Sequence, residues 1–119
     1  MTWRGHMLGV SIDSDCELVG CDTARPGMEL PGLVLRAAGA LPAATAALTF
    51  RADGRPDICR ADGGGFVMEA PGLAGFHISP GGETVRYLAG CPASWRWQRY
   101  LIGRVLPLAV TLLGREPLH

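Results

Sequence analysis

Apolar and polar residues alternate along much of this chain, and past Ser94 the apolar positions recur every three or four residues instead. The alternation is clearest in three short runs, GFVMEA at 65–70, GLAGFHIS at 72–79 and ETVRYLA at 83–89, separated by APG and PGG. Such punctuation predicts hairpins, and the three runs together predict an antiparallel meander across 65–88. On its pleat Phe66 with Met68, Phe76 with Ile78 and Val85 with Tyr87 share one face, while Val67, His77 and Arg86 point the other way.

Upstream the pattern is less regular. Residues 7–12 predict a first strand, and SDCELVG at 14–20 a turn followed by a second short strand. Pro26, Gly27, Pro31 and Gly32 make 21–32 a loop. The segment LVLRAAGALPAATAALTFR at 33–51 is ambiguous: its alanines favour helix, Gly39 and Pro42 interrupt one, and Leu48-Thr49-Phe50 favours strand. We read 45–51 as a strand and the ADGRP after it as a turn.

Cys91-Pro92 closes the meander, and Ser94 can cap a helix. On a helical wheel Trp97, Leu101, Val105, Leu108 and Leu112 form one stripe. Ile102, Leu106, Ala109 and Leu113 form a second, and Arg96, Arg99, Gly103, Arg104 and Thr111 lie opposite. Pro107 predicts a kink near Gly103, whose carbonyl its ring crowds. Gly114 is a natural C-cap and Pro117 prevents the helix from resuming. A helix this apolar does not persist in water unless most of its surface is covered. The small sheet can cover the first stripe, so the second is expected to seek another surface. The fold class expected is therefore α+β: a small antiparallel meander with hairpins, packed with one long C-terminal helix kinked at Pro107.

Composition narrows the function. With 119 residues the chain is one domain, and its 48% hydrophobic content suits a globular core. All eleven basic residues are arginine, so a phosphate-gripping P-loop lysine and a Schiff-base lysine are both ruled out. Net charge is zero, which argues against a nucleic-acid partner. No signal-like stretch opens the chain, and the apolar run near its end is broken by Arg104 and Pro107, so neither secretion nor a membrane span is expected. A cytoplasmic chain keeps its four cysteines, Cys16, Cys21, Cys59 and Cys91, reduced.

The last residues, YLIGRVLPLAVTLLGREPLH, carry a resemblance. Leu101-Ile102-Gly103, Val105-Leu106-Pro107-Leu108, Gly114 and Pro117-Leu118-His119 resemble the segment that precedes the Walker A strand in bacterial HPr-kinase-like proteins, relatives of the HPr serine kinase/phosphorylase. Gly9, Ile12, Ser14, Asp15 and Leu18 are similar to that family's opening hairpin. Pro71-Gly72, Phe76 and Gly82 are similar to its meander. The resemblance spans nearly the whole chain. It departs from the family where the chemistry lies: the glycine-rich loop with its lysine, and the carboxylates that hold magnesium, are not in this sequence. The resemblance implies a non-catalytic N-terminal accessory domain over 1–119, one that docks against a P-loop kinase domain in cis or in trans and presents a protein or peptide substrate to it. ATP and magnesium are implied only for that kinase domain. His119 would stand at the edge of its nucleotide site and catalyses nothing alone.

The remaining signals have bland readings that outweigh sharp ones. Cys16 and Cys21 are spaced poorly for a zinc knuckle, and with no C-x-x-C the cysteines are better read as small buried hydrophobes than as ligands to a metal. DGGGF at 62–66 runs into a strand, not a helix, so it is a turn and not a phosphate cradle. No serine has a nucleophile-elbow context. SWRWQRY at 94–100 interleaves aromatics with arginines, but helical spacing sends Trp97 to the core. Core packing with snorkelling arginines is the favoured reading of this run; the surface to choose for a partner is Trp95, Arg96, Arg99 and Tyr100, extended along the second stripe by Ile102, Leu106 and Leu113. A stand-alone interaction module is the competing reading, either a homodimer or a binder of peptide by strand addition.

Overall fold

The computed structural model describes residues 3–23, 31–90 and 95–114. Among the described residues nine strands form one sheet: β1 (Trp3–Met7), β2 (Val10–Ser14), β3 (Asp22–Thr23), β4 (Gly32–Ala37), β5 (Ala44–Ala47), β6 (Ile58–Ala61), β7 (Phe66–Ala70), β8 (Ala74–Ile78) and β9 (Thr84–Ala89). Their order across the sheet is β3-β1-β2-β4-β9-β8-β7-β6-β5. Neighbours are antiparallel except that β4 runs parallel to both β2 and β9. A helical segment over 95–114 packs on one face. It comprises α1 (Trp95–Tyr100), a π-helical turn (Leu101–Val105) and α2 (Leu106–Gly114).

The expected α+β arrangement, a small meander with hairpins beside one long helix, is thus corrected: the chain is built mainly on a nine-stranded mixed sheet. The meander itself occupies only its middle. Phe66, Met68, Phe76, Ile78, Val85 and Tyr87 do share a face, and the cross-strand row Val67–His77–Arg86 lies on the other. Pattern alone missed β4. Leu33 and Leu35 are buried while Val34 between them is exposed, the alternation of a strand with one covered face. Parallel pairing places β4 between strands far from it in sequence, and no hairpin turn announces such neighbours.

Smaller corrections have local causes. The expected strand over 7–12 is divided by a hairpin turn. Leu8 and Gly9 adopt φ of 53° and 79°, which is how a two-residue loop matches the twist of the strands it joins, here β1 and β2 with Met7 opposite Val10. No second strand forms within 15–20. In the expected loop over 21–32, β3 forms at the start and β4 begins at Gly32, while 24–30 lie outside the described residues. The expected strand over 45–51 is β5, ending at Ala47, and Phe50 makes only an isolated bridge with Pro56.

Two apolar rows cross the sheet beneath the helix. Leu35, Val85, Ile78 and Phe66 form one, and Tyr87, Phe76, Met68 and Ile58 the other. Onto them the helix lays Trp97, Leu101, Val105, Leu106 and Ala109, all buried. These positions do not keep to a single α-helical stripe. Pro107 has no N–H to give Gly103, and the strain is relieved one turn earlier: the Leu106 N–H bonds the Leu101 carbonyl, five residues back. The helix loosens where a kink was expected, but as a π-turn. That extra residue rotates the remainder of the helix, so Ala109 is fully buried while Leu108 and Leu112 are only half-buried.

The second stripe therefore does not wait for another surface. Leu106 is 1% exposed and Ala109 0%, covered by the chain's own sheet, while Ile102 and Leu113 are half-buried. The expected caps at Ser94 and the Cys91-Pro92 turn, and the terminal Pro117-Leu118-His119, fall outside the described residues. Among the described residues no helix is long and apolar enough to cross a membrane.

Candidate functional site

The predicted partner residues separate into three groups. Trp95, Arg99 and Ile102 line an apolar groove of about 350 Å³ together with Val19, Gly20, Gln98 and Gly103. Arg96 lies beside it, exposed, its guanidinium 5.9 Å from the centre of the Trp95 ring. Tyr100 and Leu106 turn away from the groove into packing of their own. Leu106 is core, which removes it from any docking surface, and Leu113 sits a further two turns along the helix, half-buried against the sheet.

The groove exists because the 15–21 segment is tied to the start of the helix. Gln98 uses both ends of its amide: Nε2 donates to the Glu17 carbonyl at 2.9 Å, and Oε1 accepts from the Val19 N–H at 3.1 Å. Leu18 is driven into the core at 1% exposure, so the chain on either side must rise to the surface. Gly20, at φ 98°, then passes over Ile102, where a Cβ would make only ordinary contact with its Cδ1 at 3.9 Å. Val19 at 72% exposure forms one lip and Trp95 at 57% the other. Arg99 also places its guanidinium 5.9 Å from the Trp95 ring centre, so two cations flank one exposed indole. Sequence inspection found the aromatic and the arginines. It missed Gln98 and Val19, whose roles arise only from the contact of a loop with a helix some eighty residues away.

On the opposite side of α1, Tyr100 stacks on Phe76 with ring centres 5.7 Å apart. Arg104 pairs with the Asp57 carboxylate, and Arg51 approaches that carboxylate at 3.8 Å. Burial pushes the Tyr100 phenol above its ordinary range, and the Asp57 charge adds to the effect. This cluster ties the β5–β6 connection to the helix. Arg51, Arg55, Asp57, Cys59 and Glu69 also border a cleft of about 280 Å³, with two positive and two negative side chains in balance.

A third polar cluster holds the chain leaving β2. Asp15 accepts from the Tyr87 hydroxyl and from the Ala37 N–H, each at 2.6 Å, and Tyr87 stacks on Trp97 with ring centres 4.5 Å apart. Burial, and next the bond to Asp15, raise the Tyr87 phenol well above the usual tyrosine range. Ser14, fully buried, accepts from the Cys16 N–H at 3.1 Å and lies 3.6 Å from its sulfur. Neither cluster includes a histidine among the described residues.

Cys16, Cys21 and Cys59 are free thiols; Cys21 lies 3.7 Å from the Met7 sulfur, and burial followed by the charge of Asp22 raises its pKa. Among the described residues no group of three or more His, Cys, Asp or Glu side chains stands together as a metal site. The glycines of DGGGF form the β6–β7 turn, with Gly63, Gly64 and Gly65 all at positive φ and His77 Nε2 3.1 Å from the Gly64 carbonyl. His119 and Cys91 lie outside the described residues. No family model, curated protein or solved structure matches this chain.

Proposed function

We propose that this chain is a protein-docking accessory domain of the HPr-kinase-like type, acting in the cytoplasm beside a P-loop kinase domain in cis or in trans. It binds that domain, or the protein substrate it presents to it, through the groove at Trp95. The observation that carries the reading is an exposed indole flanked by Arg96 and Arg99 at the rim of an apolar groove. Tryptophan and arginine dominate the energetics of protein interfaces because they combine large buried area with directed polar contacts. The groove is pre-formed by the Gln98 clamp, so little conformational entropy is lost on docking. Arg99 at the groove favours a partner whose apolar anchor is bordered by a carboxylate. ATP and magnesium chemistry belongs in this reading to the kinase domain. The resemblance of the tail to HPr-kinase-like proteins supplies the identity of the partner, and the groove supplies the means of contact.

Titration calorimetry with a P-loop domain of the HPr-kinase type tests it. Trp95→Ala is expected to weaken binding at least about tenfold, and Arg99→Ala several-fold, with unfolding midpoints unchanged because both side chains are exposed. Binding indifferent to Trp95→Ala would refute the docking surface. Micromolar ATP binding by the isolated chain would refute the assignment of nucleotide chemistry to its partner.

A further inference from the structure

We infer that the cleft beside Asp57 is a binding site for a small apolar zwitterion, a free α-amino acid of about the size of leucine. The inference is independent of the Trp95 groove, which has other lining residues. The cleft measures about 280 Å³ and is walled by Ala44, Pro56, Val67, Met68 and Pro71, with Arg55 and Glu69 at its border. That lies just below the roughly 300–1,000 Å³ of sites for drug-sized ligands, so its occupant is smaller than those.

The charges decide the occupant's chemistry. Two of the four at the cleft are already engaged. The Asp57 carboxylate is held by Arg104 and approached by Arg51, whose guanidinium also donates to the Glu69 carbonyl. Among the described residues the other two, the Arg55 guanidinium and the Glu69 carboxylate, form no ion pair with each other or with a third group. Both side chains are exposed, but their backbones are fixed. The Arg51 N–H donates to the Arg55 carbonyl at 2.8 Å and the Arg55 N–H to Asp53 Oδ1 at 3.0 Å, while Glu69 is paired within β7 opposite Gly75. A purely anionic ligand is drawn by Arg55 and repelled by Glu69, and a purely cationic one the reverse. A zwitterion satisfies both, with its carboxylate on Arg55 and its ammonium on Glu69. Its aliphatic side chain then leaves water for the apolar walls.

Chemical-shift titration of the unaltered chain with L-leucine tests the inference. Saturable shifts are expected at the amides around 55–57 and 67–69, with a dissociation constant of about 1 mM or tighter. Isocaproate, which lacks the ammonium, and isoamylamine, which lacks the carboxylate, are each expected to bind about tenfold more weakly. Arg55→Gln should weaken leucine to the level of isoamylamine without weakening the amine, and Glu69→Gln should weaken it to the level of isocaproate without weakening the acid. Trp95→Ala should leave leucine binding unchanged, which separates this site from the docking groove. Lack of saturation below about 10 mM overturns the inference, as do analogues that bind as tightly as leucine, or leucine binding unmoved in either charge variant. The analogue titrations use the unaltered chain, so they decide the matter even if a variant fails to fold.

Discussion

Substituting Gly82 by alanine tests how the helix is seated on the sheet. Gly82 ends the turn between β8 and β9 with φ 80°, and a Cβ there would stand 2.2 Å from the Ala109 carbonyl oxygen and 2.9 Å from Leu112 Cβ. Two costs combine. An L-residue held in the left-handed region loses about 1–2 kcal/mol. Forcing atoms into a packed contact adds about 1–3 kcal/mol, because backbone, not a flexible side-chain end, must yield. Gly82→Ala is therefore expected to cost about 2–5 kcal/mol, a large part of the roughly 5–15 kcal/mol that holds such a domain folded. Gly72 is the control: its φ is 72°, but nothing lies within 4 Å of a Cβ built on it, so Gly72→Ala carries the backbone cost of about 1–2 kcal/mol alone. Urea denaturation with a shared m-value measures both. Equal losses, or a Gly82→Ala loss under about 1 kcal/mol, would show that α2 does not rest on this turn.

Leu106→Ala, at 1% exposure, is expected to cost about 2–5 kcal/mol in the same assay, and Ile102→Ala, half-buried at the groove, about 1 kcal/mol or less. The reverse order would restore the picture of a second stripe awaiting an outside partner. Alkaline pH should destabilise the chain through Tyr87. Its phenol is raised above the usual tyrosine value of about 10 in the folded state, so the unfolded chain releases a proton that the folded one keeps; stability is full below about pH 10 and drains away above it. Tyr87→Phe should flatten that decline above about pH 10. At neutral pH it should cost about 1–3 kcal/mol, because Asp15 loses a donor; a steeper alkaline decline in the variant would contradict the sign.

The candidate site was legible in part. Trp95, Arg96 and Arg99 could be picked out because SWRWQRY at 94–100 interleaves aromatics with arginines, although the wheel set Trp95 at the margin of the core stripe, where packing was the favoured role. Tyr100 and Leu106 could not be separated from them by the wheel alone. A π-turn shifts the phase of everything beyond Leu101, and the sheet reaches further around the helix than the local pattern suggests. Gln98 gave no signal, since a polar residue on a helix is ordinarily solvated. Its function arises from its contacts with the Glu17 carbonyl and the Val19 amide.

Local periodicity determined much of this protein by itself: the meander through β7, β8 and β9, the face shared by Phe76, Ile78, Val85 and Tyr87, and an interruption of the helix at the turn before Pro107. Each depends on interactions within a few residues, where the geometry of backbone and turn leaves little choice. Tertiary structure alone decided that β4 lies between β2 and β9, that Leu106 and Ala109 of the second stripe are buried against the sheet, and that β5 stands at one edge of the described sheet. Those outcomes depend on which distant strands find one another. A row of alternating residues declares that one of its faces is buried, but not beside whom.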